Sequence, residues 1–541
     1  MVDYIIAGGG SSGCALAARL SEEPGVSVLL LEAGGTDRHP YFAMPAGFAK
    51  MTKGIASWGY STVPQQHLGG RVLWYTQAKV IGGGSSINAQ LYTRGNSEDY
   101  DGWAYRDRCA GWSYADVLPY FKRAEDNQRL VDAYHATGGP LGVSVPVNPL
   151  PISEAFIRAG QQLGIPYNPD FNGERQEGVG HYQVTVRDAK RSSAASAYLR
   201  PARGRPNLTV KTGVTVTRIV VEHGRAVGVE LVEDGQKTVL RCEREVLLTA
   251  GAINSPRLLM LSGIGPADHL RDVGVPVVHD LPGVGANLQD HLDLYVIAEC
   301  TGDHTYDKVA QPHRTVLAGL QYLLTKKGPV ASTLFETGGF WFTDRADSAP
   351  DIQFHLGLGS GIEAGVARLA NAGVTLNSAY LRPRSRGTVR LASADPAAHP
   401  LIDPNYWSDP QDRQKSLEGL RIAREIFRQD ALAHFIMAER QPGPALTSEA
   451  DLAAYAFRTC KTDHHPAGTC RMGVDALAVV TPELKLRGLE GLRVCDASIM
   501  PRVNASNTNA PTIMIGEKAA DLVLGRTPLP AQNLPPRGRA A

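Results

Sequence analysis

"DYIIAGGGSSGCALAARLSE" (residues 3 to 22), followed by "VSVLLLEAGG" (26 to 35), restricts the possible folds of this chain more than any other stretch. Tyr4 to Ala7 reads as a short buried strand, and Gly8-x-Gly10-x-x-Gly13 as its turn into a helix packed through Ala15, Ala17, Ala18 and Leu20. A second apolar strand runs from Val26 to Leu31 and ends on Glu32, nineteen positions after Gly13. Each residue has a task in binding a dinucleotide. Gly8 permits the tight turn, Gly10 lets a pyrophosphate reach backbone N–H groups, and Gly13 lets helix and strand pack closely. The helix N-terminus, with Ser11 and Ser12, favours the phosphates, and Glu32 beside Ala33 accepts ribose hydroxyls. A glycine-rich turn alone is weak; strand, helix, strand and acid in register predict dinucleotide binding. NAD and FAD both fit. The position at the chain's start leans toward FAD, and Glu32 argues against a 2′-phosphate.

With 541 residues the chain has room for two or three lobes, and 55 basic against 54 acidic residues give no broad nucleic-acid footprint. Seven cysteines, scattered from Cys14 to Cys495, make a poor disulfide framework and point to the cytoplasm. The N-terminus lacks the basic and apolar regions of a signal peptide. No apolar run reaches the roughly 18 residues of a spanning helix; peripheral membrane contact stays open.

Two further blocks are rich in glycine. "AKVIGGGSSINAQLYTRGNSEDYD" (78 to 101) offers Gly82, Gly83 and Gly84 as N–H donors, with Ser85, Ser86 and Asn88 as short hydrogen-bonding side chains. "GAINSPRLLMLSGIG" (251 to 265) follows an apolar strand from Glu245 to Ala250. Pro256 is placed where a helix could begin, and Ser262-Gly263 where it closes.

These two blocks, the N-terminal fingerprint, "GVGANLQDH" (283 to 291) and "LRVCDASIMPRVNASNTNAPTIMIGEKAAD" (492 to 521) together resemble the glucose–methanol–choline oxidoreductases, from about residue 2 to residue 524. "MPAGFAKMTKG", "YNPDFNG", "LRPRSRGTVRL" and "LIDPNY" look closest to bacterial sorbose, polyethylene glycol and aliphatic alcohol dehydrogenases. The resemblance implies an α/β fold: a Rossmann-like FAD domain built from separated segments, and a substrate domain with an antiparallel β-sheet and covering helices. It puts mainly FAD-binding sequence in 1–300, mainly substrate domain in 301–480 and a return to the FAD domain in 481–524; the Pro-rich tail 525–541 is expected to be disordered. Ile87 stands where some relatives carry the histidine that bonds FAD, so the cofactor is expected to be non-covalent. Besides the first motif, the expected FAD contacts are Val80, Gly83, Gly84, Ser85, Asn88, Ala89, Val216, Asp496, Ala497, Asn509 and Thr512.

"CKTDHHPAGTC" (460 to 470) holds adjacent histidines between two cysteines. Cys460 with His464, or His465 with Cys470, has a spacing zinc accepts, yet Pro466 and Gly468 make the stretch irregular. The family pattern makes His465 the base and Asn507 its hydrogen-bonding partner, with His464 a pocket wall and no metal. Oxidising an alcohol removes a hydroxyl proton and a hydride from one carbon. The hydride can go to flavin N5, while the proton needs a base with a pKa near neutrality. An amide N–H can hold the developing alkoxide.

Residues 300 to 480 lack phosphate-type glycine loops. "DIQFHLGL" and "GTVRLAS" read as antiparallel strands, and 414–430 as an amphipathic helix. Glu336, Phe340, Trp341, Phe354 and His355 are candidate pocket residues. Pro511 looks like the first residue of a final helix, whose dipole would favour negative charge on reduced flavin. The expected activity is oxidation of a primary or secondary alcohol (sugar, polyol, polyether or aliphatic, for instance L-sorbose-like) with a quinone, cytochrome or dye as acceptor. The rivals are an oxidase that makes hydrogen peroxide, a flavin-containing hydroxynitrile lyase, and a non-catalytic flavin-binding protein.

Overall fold

The computed structural model describes residues 1–51, 54–363 and 365–534. Part of "MPAGFAKMTKG" and the last seven residues of the tail lie outside them. Two seven-stranded sheets organise the chain.

The first sheet carries the N-terminal motif. Val2–Ala7 lies between Val28–Glu32 and the long strand Gln236–Leu248, parallel to both, and Leu208–Thr212 extends the sheet beyond Val28–Glu32. Gln236–Leu248 serves two partners on its other edge. Its first half pairs antiparallel with Arg225–Glu233, and its last three residues run parallel to Leu492–Val494. Segments nearly 500 residues apart in sequence thus meet in one Rossmann-like layer, whose buried Ile5, Ile6, Leu30, Leu31, Leu247 and Leu248 show the near-continuous apolar pattern of strands covered on both faces.

The helix Ser11–Leu20 follows the first strand and packs on the final helix, Asn509–Leu524. Small residues make this contact possible. A Cβ on Gly516 would come within 2.6 Å of the Ser12 carbonyl oxygen, so the two helices approach at backbone distance. The final helix begins two residues before Pro511, which occupies the first turn, where a missing N–H costs nothing. Pro256 departs further from expectation, lying inside the helix Gly251–Leu261 rather than at its start. The helix tolerates it because the carbonyl of Ala252, which the missing N–H would have served, accepts the Thr469 hydroxyl at 2.6 Å.

The second sheet is antiparallel throughout, in the order Ile436–Gln441, Leu292–Cys300, Gly373–Tyr380, Ile352–Gly357, Phe335–Trp341, Gly178–His181. The helix Pro410–Phe427 covers it, burying Leu417, Leu420, Ala423 and Ile426. Thr388–Arg390, from "GTVRLAS", pairs with Leu401–Asp403 in a separate ribbon. A short strand, Lys461–Thr462, pairs with Leu292–Asp293 at the start of the longest strand of this sheet.

The tail is ordered further than its composition suggests. Leu529 and Leu534 pack on the apolar core around the first sheet, and Gln532 donates its N–H to the Ala115 carbonyl. Apolar cover and backbone partners outweigh the proline bias there.

Candidate active site

The N-terminal loop forms a cradle. Gly8 has φ +117°, and a Cβ on Gly13 would sit 2.1 Å from the Gly8 carbonyl oxygen. Gly10 precedes the helix without capping it through a side chain, so first-turn N–H groups remain available to an anion. Glu32 accepts the Gly9 N–H at 2.8 Å and the Gly34 N–H at 2.7 Å, and each oxygen keeps a lone pair for a further donor. Burial pushes its pKa up to about 7.

A cleft of about 1990 Å³, open solvent at its mouth included, runs from this cradle to the histidines. Gly8, Gly10, Ser11, Ser12, Glu32 and Ala33 line it at the first motif. The second block adds Gly83, Gly84, Asn88 and Ala89; Val216, Asp496, Ala497, Asn509 and Thr512 come from elsewhere in the chain. Three expected contacts stand behind this wall. Gly13 is packed on Gly8, Val80 belongs to a small apolar cluster with Phe42, Met51 and Ile87, and the Ser85 hydroxyl donates to the Gly82 carbonyl at 2.5 Å. Asp496 also caps the helix Gly251–Leu261, accepting from Gly251 N at 2.8 Å and from the Ser255 hydroxyl. Ser11 donates to Asn509 at 2.9 Å, tying the two helix starts together. An elongated cleft with an uncapped helix N-terminus, a carboxylate and close-packed glycines fits a dinucleotide.

At its far end the pairing of Lys461–Thr462 with Leu292–Asp293 brings two distant segments side by side. The Asp463 N–H donates to the His291 carbonyl at 2.9 Å, and the His465 N–H to Asp290 at 2.7 Å. The other Asp290 oxygen accepts hydroxyls from Tyr75, Tyr406 and Thr462. A buried carboxylate with four donors clamps the turn. His464 has φ +62°, an uncommon conformation for a residue with a side chain.

The imidazole hydrogen bonds then run in one direction. His291 Nε2 lies 3.1 Å from the Leu381 carbonyl oxygen, which can only accept. Nε2 therefore carries the His291 proton, and Nδ1 is left as an acceptor. His465 Nδ1 lies 3.0 Å from that atom and must donate to it, which leaves His465 Nε2 bare. Asn507 Nδ2 donates to this nitrogen at 3.1 Å, while Asn507 Oδ1 accepts from Thr93 and Gln353, each at 3.0 Å. Burial first, then the neighbouring imidazoles of His291, His355 and His464 with Lys461, push the His465 pKa well below 6.5. The imidazole is neutral at pH 7.

Asp463 Oδ2 lies 3.2 Å from His465 Nδ1. Burial, with Asp293 and Glu363 nearby, raises its pKa well above the ordinary value, against the pull of Lys461. His291, Asp463 and His465 place ligand atoms within 4.8 Å of one another, as do Asp293, His355 and Asp463. Neither group contains the cysteine–histidine pairs considered for zinc: Cys460 accepts from Arg71 at 3.0 Å. Both ring nitrogens of His291 are committed to hydrogen bonds.

Of the pocket candidates from the middle of the chain, His355 lines the cleft, whereas Phe340 and Phe354 are core and Glu336 is held by Ser153, Ser332 and the Leu150 N–H. His355 Nε2 and His464 Nδ1 are buried without a hydrogen-bond partner among the described residues. Sequence reasoning missed His291, Asp290, Thr93, Gln353 and Glu363. "GVGANLQDH" signalled the first two only as a family pattern.

The cleft thus joins a close-packed glycine cradle to a fixed, neutral imidazole. The GMC oxidoreductase family matches residues 2–293 and, by its C-terminal part, residues 383–516. The chain is 43% identical over 542 residues to a mitochondrial choline dehydrogenase of Mus musculus, covering 98% of this chain and 91% of that one. It is also 43% identical to an alcohol dehydrogenase [acceptor] of Pseudomonas putida, covering 97% and 96%. The solved pyridoxine 4-oxidase from Mesorbium loti superposes with a TM-score of 0.89 at 33% identity, over 97% of this chain and all of that one. The chain belongs to the GMC oxidoreductase family. It is an FAD-binding flavoprotein acting on CH–OH groups. No helix among the described residues is long and apolar enough to cross a membrane.

Proposed function

We propose that this enzyme is an alcohol dehydrogenase in which His465 takes the hydroxyl proton and Asn507 holds the oxygen. The observation that carries this reading is the 3.1 Å pair formed by His465 Nε2 and Asn507 Nδ2 at the wall of the cleft. An alcohol oxygen entering between them donates its proton to Nε2 and accepts from Nδ2. The Nδ1–H bond to His291 keeps Nε2 free before transfer. After transfer, Asp463 Oδ2, 3.2 Å from Nδ1, is placed to stabilise the imidazolium charge. Thr93 and Gln353, both donating to Asn507 Oδ1, keep the amide from flipping. His355 and His464 offer their unpartnered nitrogens to the rest of the substrate.

FAD, when bound, supplies the acceptor for the hydride leaving the alcohol carbon. Gly8, Gly10, Ser11 and Ser12 would hold its pyrophosphate, and Glu32 its ribose. Gly83, Gly84, Asn88, Ala89, Asn509 and Thr512 are positioned for the remainder. Ile87 offers no nucleophile, so attachment is non-covalent. Of the acceptors, a quinone or other non-oxygen acceptor is favoured by likeness to the Pseudomonas putida alcohol dehydrogenase [acceptor]. Scattered cysteines, all unpaired, are in keeping with the cytoplasm.

Two substrate readings follow. The apolar wall of Phe48, Leu91 and Phe335 suits an aliphatic or polyether alcohol. Glu363 gives the second: it lines the same cleft and, although burial opposes it, Lys461 and Asn377 hold its pKa below the ordinary value. A carboxylate facing the cleft favours a cationic alcohol, the class to which choline belongs. Anaerobic mixing with hexanol, sorbitol and choline, following loss of flavin absorbance, decides between them. Reduction by none of the three contradicts the dehydrogenase reading, and stoichiometric oxygen uptake during turnover replaces it with an oxidase.

A further inference from the structure

The helix Pro312–Thr325 buries the wrong amount of its apolar surface. Ala318 and Tyr322 face the protein. Val316, Leu317, Leu320, Leu323 and Leu324 are between 51% and 83% exposed. Their spacing is i, i+1, i+4, i+7, i+8, which at 100° per residue confines all five to an arc of roughly 120°. This is an amphipathic stripe built with the regularity of a core face, and it points to solvent. Isolated exposed leucines are ordinary; five on one helical face are not.

The charge around the stripe is one-sided. Between Asp307 and Glu336 the sequence holds Lys308, Arg314, Lys326 and Lys327 and no acidic residue, in a chain whose net charge is only +1. Lys308 and Arg314 share a single partner, Asp303, at 3.5 and 3.0 Å. Lys326 stands over the Tyr322 ring at 4.9 Å, at the helix C-terminus. Basic residues at both ends of an in-plane apolar stripe match the composition of helices that lie in the headgroup layer of anionic membranes. Two turns link the helix to the wall of the cleft. The helix rests on the turn Pro329–Ala331, which packs against Pro45–Gly47, next to the cleft-lining Phe48.

We infer that the Pro312–Thr325 helix docks the enzyme on an anionic lipid bilayer, with its five apolar side chains among the acyl chains and its lysines and arginine at the headgroups. The substrate end of the cleft then opens near the lipid surface, within reach of lipophilic molecules dissolved in it.

Flotation of the purified holoenzyme with vesicles tests this without turnover, so its outcome is separate from the reading of the chemistry. Vesicles of phosphatidylglycerol and phosphatidylethanolamine are compared with vesicles of phosphatidylcholine alone. The native protein floats with the anionic vesicles. The double variant Leu320→Gln, Leu324→Gln loses about tenfold or more of that binding, and Lys326→Gln, Lys327→Gln loses several-fold, as does raised salt. Both variants keep native turnover with a water-soluble dye, which shows that they fold. The inference is overturned by native protein that stays at the bottom, by a leucine variant that floats as well as the native enzyme, or by equal flotation on phosphatidylcholine. Light scattering that finds a dimer split by the leucine variant overturns it too, since the stripe would then be a subunit contact.

Discussion

The Nδ1 atoms of His291 and His465 stand 3.0 Å apart. Because the Leu381 carbonyl claims the other His291 proton, the direction of this contact is settled, and with it the tautomer of the base. In the proposed mechanism His291 is a positioning residue, because it sets which His465 nitrogen is bare.

Replacing His291 with Phe removes the acceptor for Nδ1–H. The His465 proton can then move to Nε2, where it blocks proton abstraction. Turnover is expected to fall about 10–100-fold with FAD content unchanged. The pH dependence of the flavin-reduction rate checks the role, because loss of the lock moves the profile while a packing defect does not. His291→Asn, which restores an acceptor, should recover part of the rate.

The acid limb of kcat/KM reports the base in the free enzyme. With His465 pushed well below 6.5 by burial and neighbouring imidazoles, that limb should lie below pH 6.5. A profile measured with a slow alcohol, so that binding is at equilibrium, gives the value. A limb above pH 7 would contradict the electrostatic account.

Stability should share this sensitivity. Burial lowers His291 and His464 to about 4 and His355 to about 3 from an ordinary 6.5. Between these values the unfolded chain binds more protons than the folded one, so stability is fully present above pH 6.5 and declines as pH falls toward 4. Each histidine accounts for on the order of 3 kcal/mol across that window. Glu32 and Asp463, raised by burial, act with the opposite sign, so the histidine share is read by difference. In thermal melts at pH 7, 6 and 5, Tm should decline more steeply with falling pH in the native protein than in His355→Phe, and equal slopes would contradict the sign.

The cradle is tested at Gly13. An added Cβ would lie 2.1 Å from the Gly8 carbonyl oxygen, so Gly13→Ala must displace the turn proposed to receive the pyrophosphate. The purified variant should lose most of its FAD, read from the ratio of visible to protein absorbance. Gly25→Ala, which has nothing within 4 Å of its Cβ, should keep it.

The parts of this account that were legible in the sequence depend on local chain geometry. Gly8, Gly13 and Glu32 act within one strand–helix–strand unit, so their spacing carries the information. His465 and Asn507 were legible as a family pattern, although nothing in "CKTDHHPAGTC" distinguishes a base from a metal ligand. His291 was not legible as a partner of the base, because it lies 174 residues away and reaches His465 through the pairing of Lys461–Thr462 with Leu292–Asp293. Pro256 misled for the same reason: the hydroxyl that makes it tolerable inside a helix belongs to the distant Thr469.

The central claim is that the His465 imidazole removes the alcohol proton. Anaerobic stopped-flow reduction of bound FAD by the best alcohol, in the native enzyme and in His465→Ala, tests it most directly. The account predicts a fall of about 10²–10⁴ in the reduction rate with FAD still bound; reduction at a near-native rate in the variant would contradict it.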